Sequence, residues 1–438
     1  MHIPWIVAPG GSHEKALVAS AYGADEVYLG VPFTSLRMRQ NKVYTFDMLK
    51  ETVDALHANG TKAFLTMNIF PRNTDIAVFE SVVEKVASVN PDAIIFSDPG
   101  TFNIIKKYLP NTPLHLSTQT TTLNYASVKF WYDLGVKRIV LARELHIDEI
   151  AKIKKEVPEV ELEAFVHGAM CMTYSGRCLL GDYLGGRPAN KGECNHSCRF
   201  KYNVFIEEER RPGQFLQVRN DEDGEHILSS KDLCTIERLD ELMPYIDAMK
   251  IEGRSKSEFY VGAVVKAYKH VRDAILHGTP IDEQIVSLVH MIPHREYRDG
   301  FLFHSLKEFP DGETTPLMKG GSDEGAGGSS TYQVWEKTTT TGTAGPLFNR
   351  NYFGTFTTET ISHAGNVYHQ INPKEELRRG MKLKYLAPET MGELEILDIV
   401  DRNGKALEKA DCNMRDLYVQ TSLELKGWEC LYVEPEVK

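Results

Sequence analysis

FDMLKETVDALHANGTKAFLTMN, residues 46–68, contains one full copy of the unit that organises this chain. Phe46–Ala58 reads at helical period, Gly60 stands just past the helix end where a left-handed cap residue is wanted, and Lys62–Met67 reads as a strand ending on the polar Asn68. On either side of it, strand-like runs recur, and the full set centres on Trp5–Ala8, Glu26–Leu29, Lys62–Met67, Ala93–Phe96, Pro113–Leu116, Arg138–Leu141, Glu161–Phe165 and Ala248–Ile251. Helical stretches such as Glu14–Tyr22, Ile76–Val89, Tyr125–Leu134, Asp148–Glu156 and Glu258–Leu276 lie between them, with Gly23 and Gly135 at further helix ends. Eight such units predict an α/β fold, a closed parallel (β/α)8 barrel of the TIM type.

A chain of 438 residues exceeds what one hydrophobic core organises, so a second domain is expected. The barrel and a cysteine-bearing insertion at 168–234 are expected over residues 1–290, an extension with a Gly-rich linker over 291–331, and a β domain over 332–438. KGGSDEGAGGSS, starting at Lys319, has the composition of a flexible connector. Beyond it, short runs at Tyr352–Thr358, Asn366–Ile371, Lys382–Leu386, Leu394–Val400, Tyr418–Thr421 and Glu429–Val433, with a turn signal at Asn403-Gly404, predict a small all-β barrel or sandwich. A hairpin is expected over Gln214–Ser230, turning at Asp223-Gly224. A hydrophobic content of 42% with 25% charged residues excludes disorder. No leader-like start or membrane-length apolar run is present, so the expected setting is the cytoplasm. The net charge of −11 excludes nucleic-acid binding over the whole surface and leaves room for a local basic groove.

Barrels of this class carry their active sites at the C-terminal ends of the strands. There the chain places Asn68, Asp98, Gln119, Arg143, Glu144, His167, Glu252 and Arg254. Gly10, Gly11 and Gly30 follow the first two strands and are expected to leave the backbone open to a ligand. The insertion after the seventh strand brings five of the seven cysteines over the same face: Cys171, Cys178, Cys194, Cys198 and Cys234. Such crowding points to a metal centre, since in a reducing compartment thiolates hold metal more readily than they form disulfides. Gaps of six, fifteen and three residues between the first four lack the paired knuckles of structural zinc, which favours a 4Fe–4S cluster with zinc as the alternative. Cys412 and Cys430 are expected to be buried small residues. A cysteine hydrolase, with His167 activating Cys171, is the competing use of the same residues.

EAFVHGAMCMTYSGRCLLGDYLGGRPANKGECNHSCR resembles the U-thirty-two family, the collagenase-like peptidases, and so, in the same order along the chain, do AYGADEVYLG, SLRMR, FSDPG, SSKDL and KIEGRSKS. Within the family the likeness is strongest to members that make 5-hydroxyuridine at the wobble position of tRNA. The resemblance implies a cluster held by Cys171, Cys178, Cys194 and Cys198, with Cys234 as a contender for the fourth position, and prephenate as hydroxyl donor. A dicarboxylate calls for guanidinium forks, for which Arg37, Arg39, Arg143 and Arg254 are the candidates. His167 would serve as acid, base or supporting hydrogen-bond donor, and Glu252 and Arg254 are placed with it at the catalytic centre. A tRNA anticodon loop would be met by Lys191, Arg199, Lys201 and Tyr202 near the cluster and by Arg378, Arg379, Lys382 and Lys384 in the tail. A peptidase, a non-catalytic RNA-binding scaffold and a family-related protein partner remain open at this level.

Overall fold

The computed structural model describes residues 3–36, 45–171, 173–194, 196–199, 205–207, 215–217, 230–295, 297–303 and 352–434. Eight parallel strands close on themselves: β1 (Trp5–Gly10), β2 (Glu26–Gly30), β3 (Lys62–Met67), β4 (Ala93–Phe96), β5 (Leu114–Leu116), β6 (Arg138–Val140), β7 (Glu161–Ala169) and β11 (Ala248–Ile251), the last pairing with both β1 and β7. This is the expected (β/α)8 barrel. Helices α1 (His13–Ala21), α2 (Phe46–Ala58), α3 (Ile76–Val86), α4 (Pro99–Tyr108), α5 (Tyr125–Asp133), α6 (Ile147–Glu156) and α9 (Glu258–His277) pack outside it, while the short α7 (Leu180–Gly185) and α8 (Leu239–Leu242) fall between β7 and β11. The N-caps of the long helices are the side chains the sequence provides, Ser12, Thr45, Asn124 and Ser257 among them, each accepting from a backbone N–H of the first turn.

Alternation along the strands builds two layers. Outward residues join the helices in the main core, which includes Ile6, Leu29, Leu65, Ile94, Leu116, Ile139, Leu162 and Ile251. Inward residues form a small cluster of Val7, Tyr28, Phe64, Ala93, Ile95 and Ala248. Charged side chains share that interior: Arg138 bonds Glu26, Glu161 and Glu163, and Lys250 also contacts Glu163. Burial alone would raise Glu163, yet Lys250 and Arg138 hold it below the usual carboxylate range, whereas burial outweighs Arg138 at Glu26 and raises it.

One irregularity matters for function. Phe165 pairs with Lys250 but Ile251 pairs with His167, so β7 carries one residue more than β11 over that step. A bulge of this kind reverses the facing of the residues beyond it. Past it, His167 shares the outward face of Ile251 and meets the rings of Tyr260 and Tyr268 on α9.

Above the barrel, β10 (Asp232–Cys234) runs antiparallel to the end of β7 and pairs in parallel with β12 (Tyr297–Arg298). Phe215–Gln217 (β9) pairs antiparallel with Phe205–Glu207 (β8), and the turn Asp223-Gly224 and second strand of the hairpin expected over Gln214–Ser230 lie outside the described residues. The glycines after the first strand serve packing rather than ligand access, because a Cβ on Gly11 would stand 2.1 Å from the Arg254 carbonyl oxygen and one on Gly10 2.5 Å from Leu29.

The C-terminal unit is a closed antiparallel barrel of Tyr352–His363, Asn366–Pro373, Leu417–Thr421, Met391–Asp401, Lys382–Leu386 and Cys430–Tyr432. Cys430 is buried as expected, but Cys412 is exposed and contributes nothing to the core. The unit docks on α1 and α9. Phe259 stacks on Tyr432 and Tyr352 with ring centroids 4.8 and 5.9 Å away, and the Tyr22 hydroxyl reaches the carbonyl oxygens of Leu386 and Trp428. No helix among the described residues is long and apolar enough to cross a membrane.

Candidate functional site

The strands' C-terminal ends and the insertion following β7 enclose a cavity of about 910 Å³. Its wall brings together Asn68, Gln119, Arg143, Glu144, Glu252 and Arg254 from the barrel and Cys171, Cys178, Cys194 and Cys198 from the insertion. Arg37 and Arg39 lie outside the described residues.

The insertion is a lid fastened at named points. Both Glu144 carboxylate oxygens accept from Ser175, whose backbone N–H donates at 2.7 Å. Gln119 donates to the Asn190 side chain at 3.2 Å, and Phe70 N–H donates to the Asn190 carbonyl at 2.9 Å. Lys191 pairs with Asp75 at 3.0 Å. Gly176 has a φ of +74° and lies so close to Gln119 that a Cβ would stand 1.9 Å from its carbonyl oxygen, a position only glycine occupies. Glu144 and Gln119 thus hold the roof in place.

The two described arginines differ in what they touch. Arg254 donates to Ser35 Oγ at 2.8 Å, Thr66 Oγ1 at 3.2 Å and the Leu36 carbonyl at 2.7 Å, bracing the loop after β2. Asn68 braces the same loop, accepting from Leu36 N–H and donating to Ser117. Arg143 stands over the Phe165 ring, its Cζ 3.8 Å from the ring centroid, and donates one Nη1 bond to the Ala169 carbonyl. Its buried Nε has no hydrogen-bond partner among the described residues, and neither has the hydroxyl of Thr173 in the same cavity wall. A fixed guanidinium with unspent donor capacity is the arrangement that receives a carboxylate.

His167 and Asp98 are not part of this cavity. Asp98 caps α4, accepting from Thr101 N–H at 3.1 Å, with Pro99 opening the helix. His167 is fully buried behind the barrel wall, where the bulge directs it. Tyr297 commits its hydroxyl hydrogen to the Val289 carbonyl at 2.8 Å, so the 3.3 Å contact to His167 Nε2 is a bond donated by the imidazole. Nδ1 is then an unprotonated acceptor without a partner among the described residues, and burial pushes the ring down to about 3. Cys171 is exposed on the cavity side, so the thiol–imidazole pair of a cysteine hydrolase is not formed.

Cys234 is likewise set apart from the other four. It pairs in register with His167, sits 3.8 Å from the Tyr268 hydroxyl, and burial pushes its thiol up to about 11. No disulfide engages any cysteine. Among the described residues no three His, Cys, Asp or Glu side chains converge closely enough to enclose an ion. Four thiols in one cavity wall are the donor type that a cysteine-bound cluster uses, and holding one would need these side chains to draw together.

Lys250 and His196 also line the cavity and escaped the sequence reading. Lys250 was legible from the inward alternation of Ala248 and Lys250, and His196 from its place between Cys194 and Cys198. The expected basic track in the tail is largely spent: Arg378 pairs with Glu376, Arg379 with Asp398, and Lys384 with Glu434, while Lys382 is exposed. Lys201, Tyr202 and the Arg199 side chain lie outside the described residues.

Fold and cavity together define a (β/α)8-barrel protein with a thiol-bearing lid over its catalytic face. The chain belongs to Peptidase family U32, whose model matches residues 11–309. It is 36% identical over 340 residues to the tRNA hydroxylation protein P of Escherichia coli, covering 69% of this chain and 75% of that one. It is 32% identical over 291 residues to a collagenase of Porphyromonas gingivalis, covering 64% and 68%. A 23S rRNA 5-hydroxycytidine synthase of Escherichia coli is 32% identical over 272 residues, covering 62% of this chain and 39% of the synthase.

Proposed function

We propose that the protein hydroxylates RNA, forming 5-hydroxyuridine at the wobble position of tRNA in the cytoplasm, with a 4Fe–4S cluster on Cys171, Cys178, Cys194 and Cys198 and prephenate as hydroxyl donor. The observation that carries this reading is that those four cysteines and Arg143 line one cavity at the barrel's C-terminal face. The relatives named for tRNA hydroxylation and rRNA hydroxycytidine synthesis support the reaction class. Thiolate donors at loose spacing support iron–sulfur over zinc. A bound cluster would supply a Lewis-acidic or electron-transferring centre at the mouth. Arg143, held over Phe165 in the cavity wall and giving one Nη1 bond to the Ala169 carbonyl, orients one carboxylate of the donor through its remaining terminal N–H groups, and Lys250 at the barrel interior supplies a second positive charge. Glu252, buried in the cavity wall, is the carboxylate assigned to accept the proton lost from the base. The lid, anchored through Glu144, keeps bulk water from the donor.

The test is tRNA from a strain lacking the protein, compared by mass spectrometry with tRNA from the same strain carrying the wild type or Cys171→Ser. The deletion and the variant are expected to lack one oxygen atom on the wobble uridine. Wobble uridine unchanged by the deletion would overturn the function, and anaerobically purified protein holding zinc without iron or sulfide would overturn the cluster.

A further inference from the structure

The lid carries a feature that cavity chemistry does not use. Tyr183, on the short helix α7, is 87% exposed, the most of any large apolar or aromatic side chain among the described residues. Tyr174, 59% exposed, belongs to the same segment and also lines the cavity, so it stands at the entrance. Exposing two aromatic rings on one segment forfeits the burial that would stabilise them, and the anchors at Ser175, Gly176 and Asn190 hold the segment firmly in that pose.

Charge indicates what the rings meet. Residues 173–199 contain Arg177, Arg187, Lys191 and Arg199 against only Asp182 and Glu193, a positive balance in a chain of net −11. Lys191 is engaged by Asp75, whereas among the described residues Arg177 gives only its Nε, to Thr121 Oγ1 at 3.2 Å, which leaves its terminal nitrogens for a phosphate. Interleaved aromatic and basic side chains are the combination that binds single-stranded nucleic acid, rings for base faces and cations for phosphates. From these observations we infer that the lid is a stacking platform on which Tyr183 and Tyr174 hold the nucleotides next to the target base while that base enters the cavity. The inference rests on the RNA-hydroxylation reading and adds the surface that delivers the substrate.

The experiment is fluorescence anisotropy of the full-length protein with a labelled anticodon stem-loop bearing unmodified uridine at the wobble position. Tyr183→Ala is expected to weaken binding on the order of tenfold, Tyr183→Phe to retain it, and Tyr183→Leu to behave like Ala because it offers apolar surface without a π-face. Arg187→Gln is expected to lower the slope of log affinity against log salt by about 1. Cluster content, read by absorbance, is expected to be the same in all of them. If the wild type binds the stem-loop and Tyr183→Ala binds equally well, the platform is overturned and the hydroxylation reading stands. If the wild type binds no RNA, both fall. Restoration of binding by Tyr183→Leu, or a dimer that Tyr183→Ala dissociates, would reassign the patch to apolar protein contact and overturn the inference.

Discussion

Arg143 and Glu144 are neighbours in sequence and face different tasks, one toward the cavity's ligand and the other toward its roof. Arg143→Lys keeps the charge but loses the guanidinium's contact with Phe165 and the fork, so it is expected to raise the KM for a dicarboxylate donor about tenfold with a smaller change in kcat. An unchanged KM in steady-state assays would show that the guanidinium is only structural. Glu144→Ala removes a charge-assisted bond contributing about 2 kcal/mol to seating Ser175, and is expected to speed limited proteolysis between Thr173 and Cys194 while the barrel's melting temperature barely moves. His167 makes a prediction about pH. Its folded value is about 3 against 6.5 for the free side chain, so below pH 6.5 the unfolded state binds more protons. The stability this neutral imidazole contributes is fully present above pH 6.5 and is lost as pH falls toward 3. Between about pH 7 and about pH 5 its share is about 2 kcal/mol. Urea titrations of the wild type and His167→Phe at both values check this, the variant having the shallower dependence; His115 and His294, also lowered by burial, add a decline common to both proteins.

At the scale of elements, the sequence made legible what local pattern specifies. Lys62–Met67 and Ala248–Ile251 form as expected because inward and outward positions alternate without interruption, and Phe46–Ala58 begins on a Thr45 cap. Gly23, Gly60 and Gly135 all take the left-handed conformation expected past helix ends. His167 was misplaced because facing in β7 depends on register against β11, and the bulge is written in the pairing rather than in EAFVHG. Asp98 was legible in a different sense: Asp98-Pro99 is an N-cap followed by proline at the first helical position, a signal for α4 that a search for polar strand ends reads as a ligand. That four cysteines line one cavity followed from the position of the insertion, whereas the withdrawal of Cys234 followed from β10 pairing with the end of β7, which no spacing reveals. The lid's dependence on one backbone position is testable. Gly176→Ala meets the Gln119 carbonyl and an unfavourable φ, so it is expected to abolish uridine hydroxylation and iron loading while far-UV circular dichroism remains that of the wild type. Full loading in this variant would show that the cysteines do not depend on the seat at Gln119.

Over the whole molecule, the C-terminal barrel keeps a core of its own and is joined to the large barrel through a buried interface. Tyr352, Leu386, Cys430 and Tyr432 of the C-terminal unit belong to the same buried cluster as the helices of the large barrel. Lys266 donates to the carbonyls of Ala387 and Pro388 at 2.9 and 2.8 Å, and Gly262 leaves space for the Tyr22 ring to lie across α9. Backbone acceptors met by buried side chains fix orientation as well as contact, because each would be left unsatisfied by a small rotation. The two units are therefore expected to unfold as one in calorimetry. Phe259, 1% exposed and stacked against both Tyr352 and Tyr432, is the anchor of that coupling. Phe259→Ala is expected to cost about 3 kcal/mol or more and to split the single endotherm into two, since the lost packing lies between the cores rather than within either. An endotherm that stays single, with its midpoint unmoved, would show that the interface contributes little and that the β unit is an independent module.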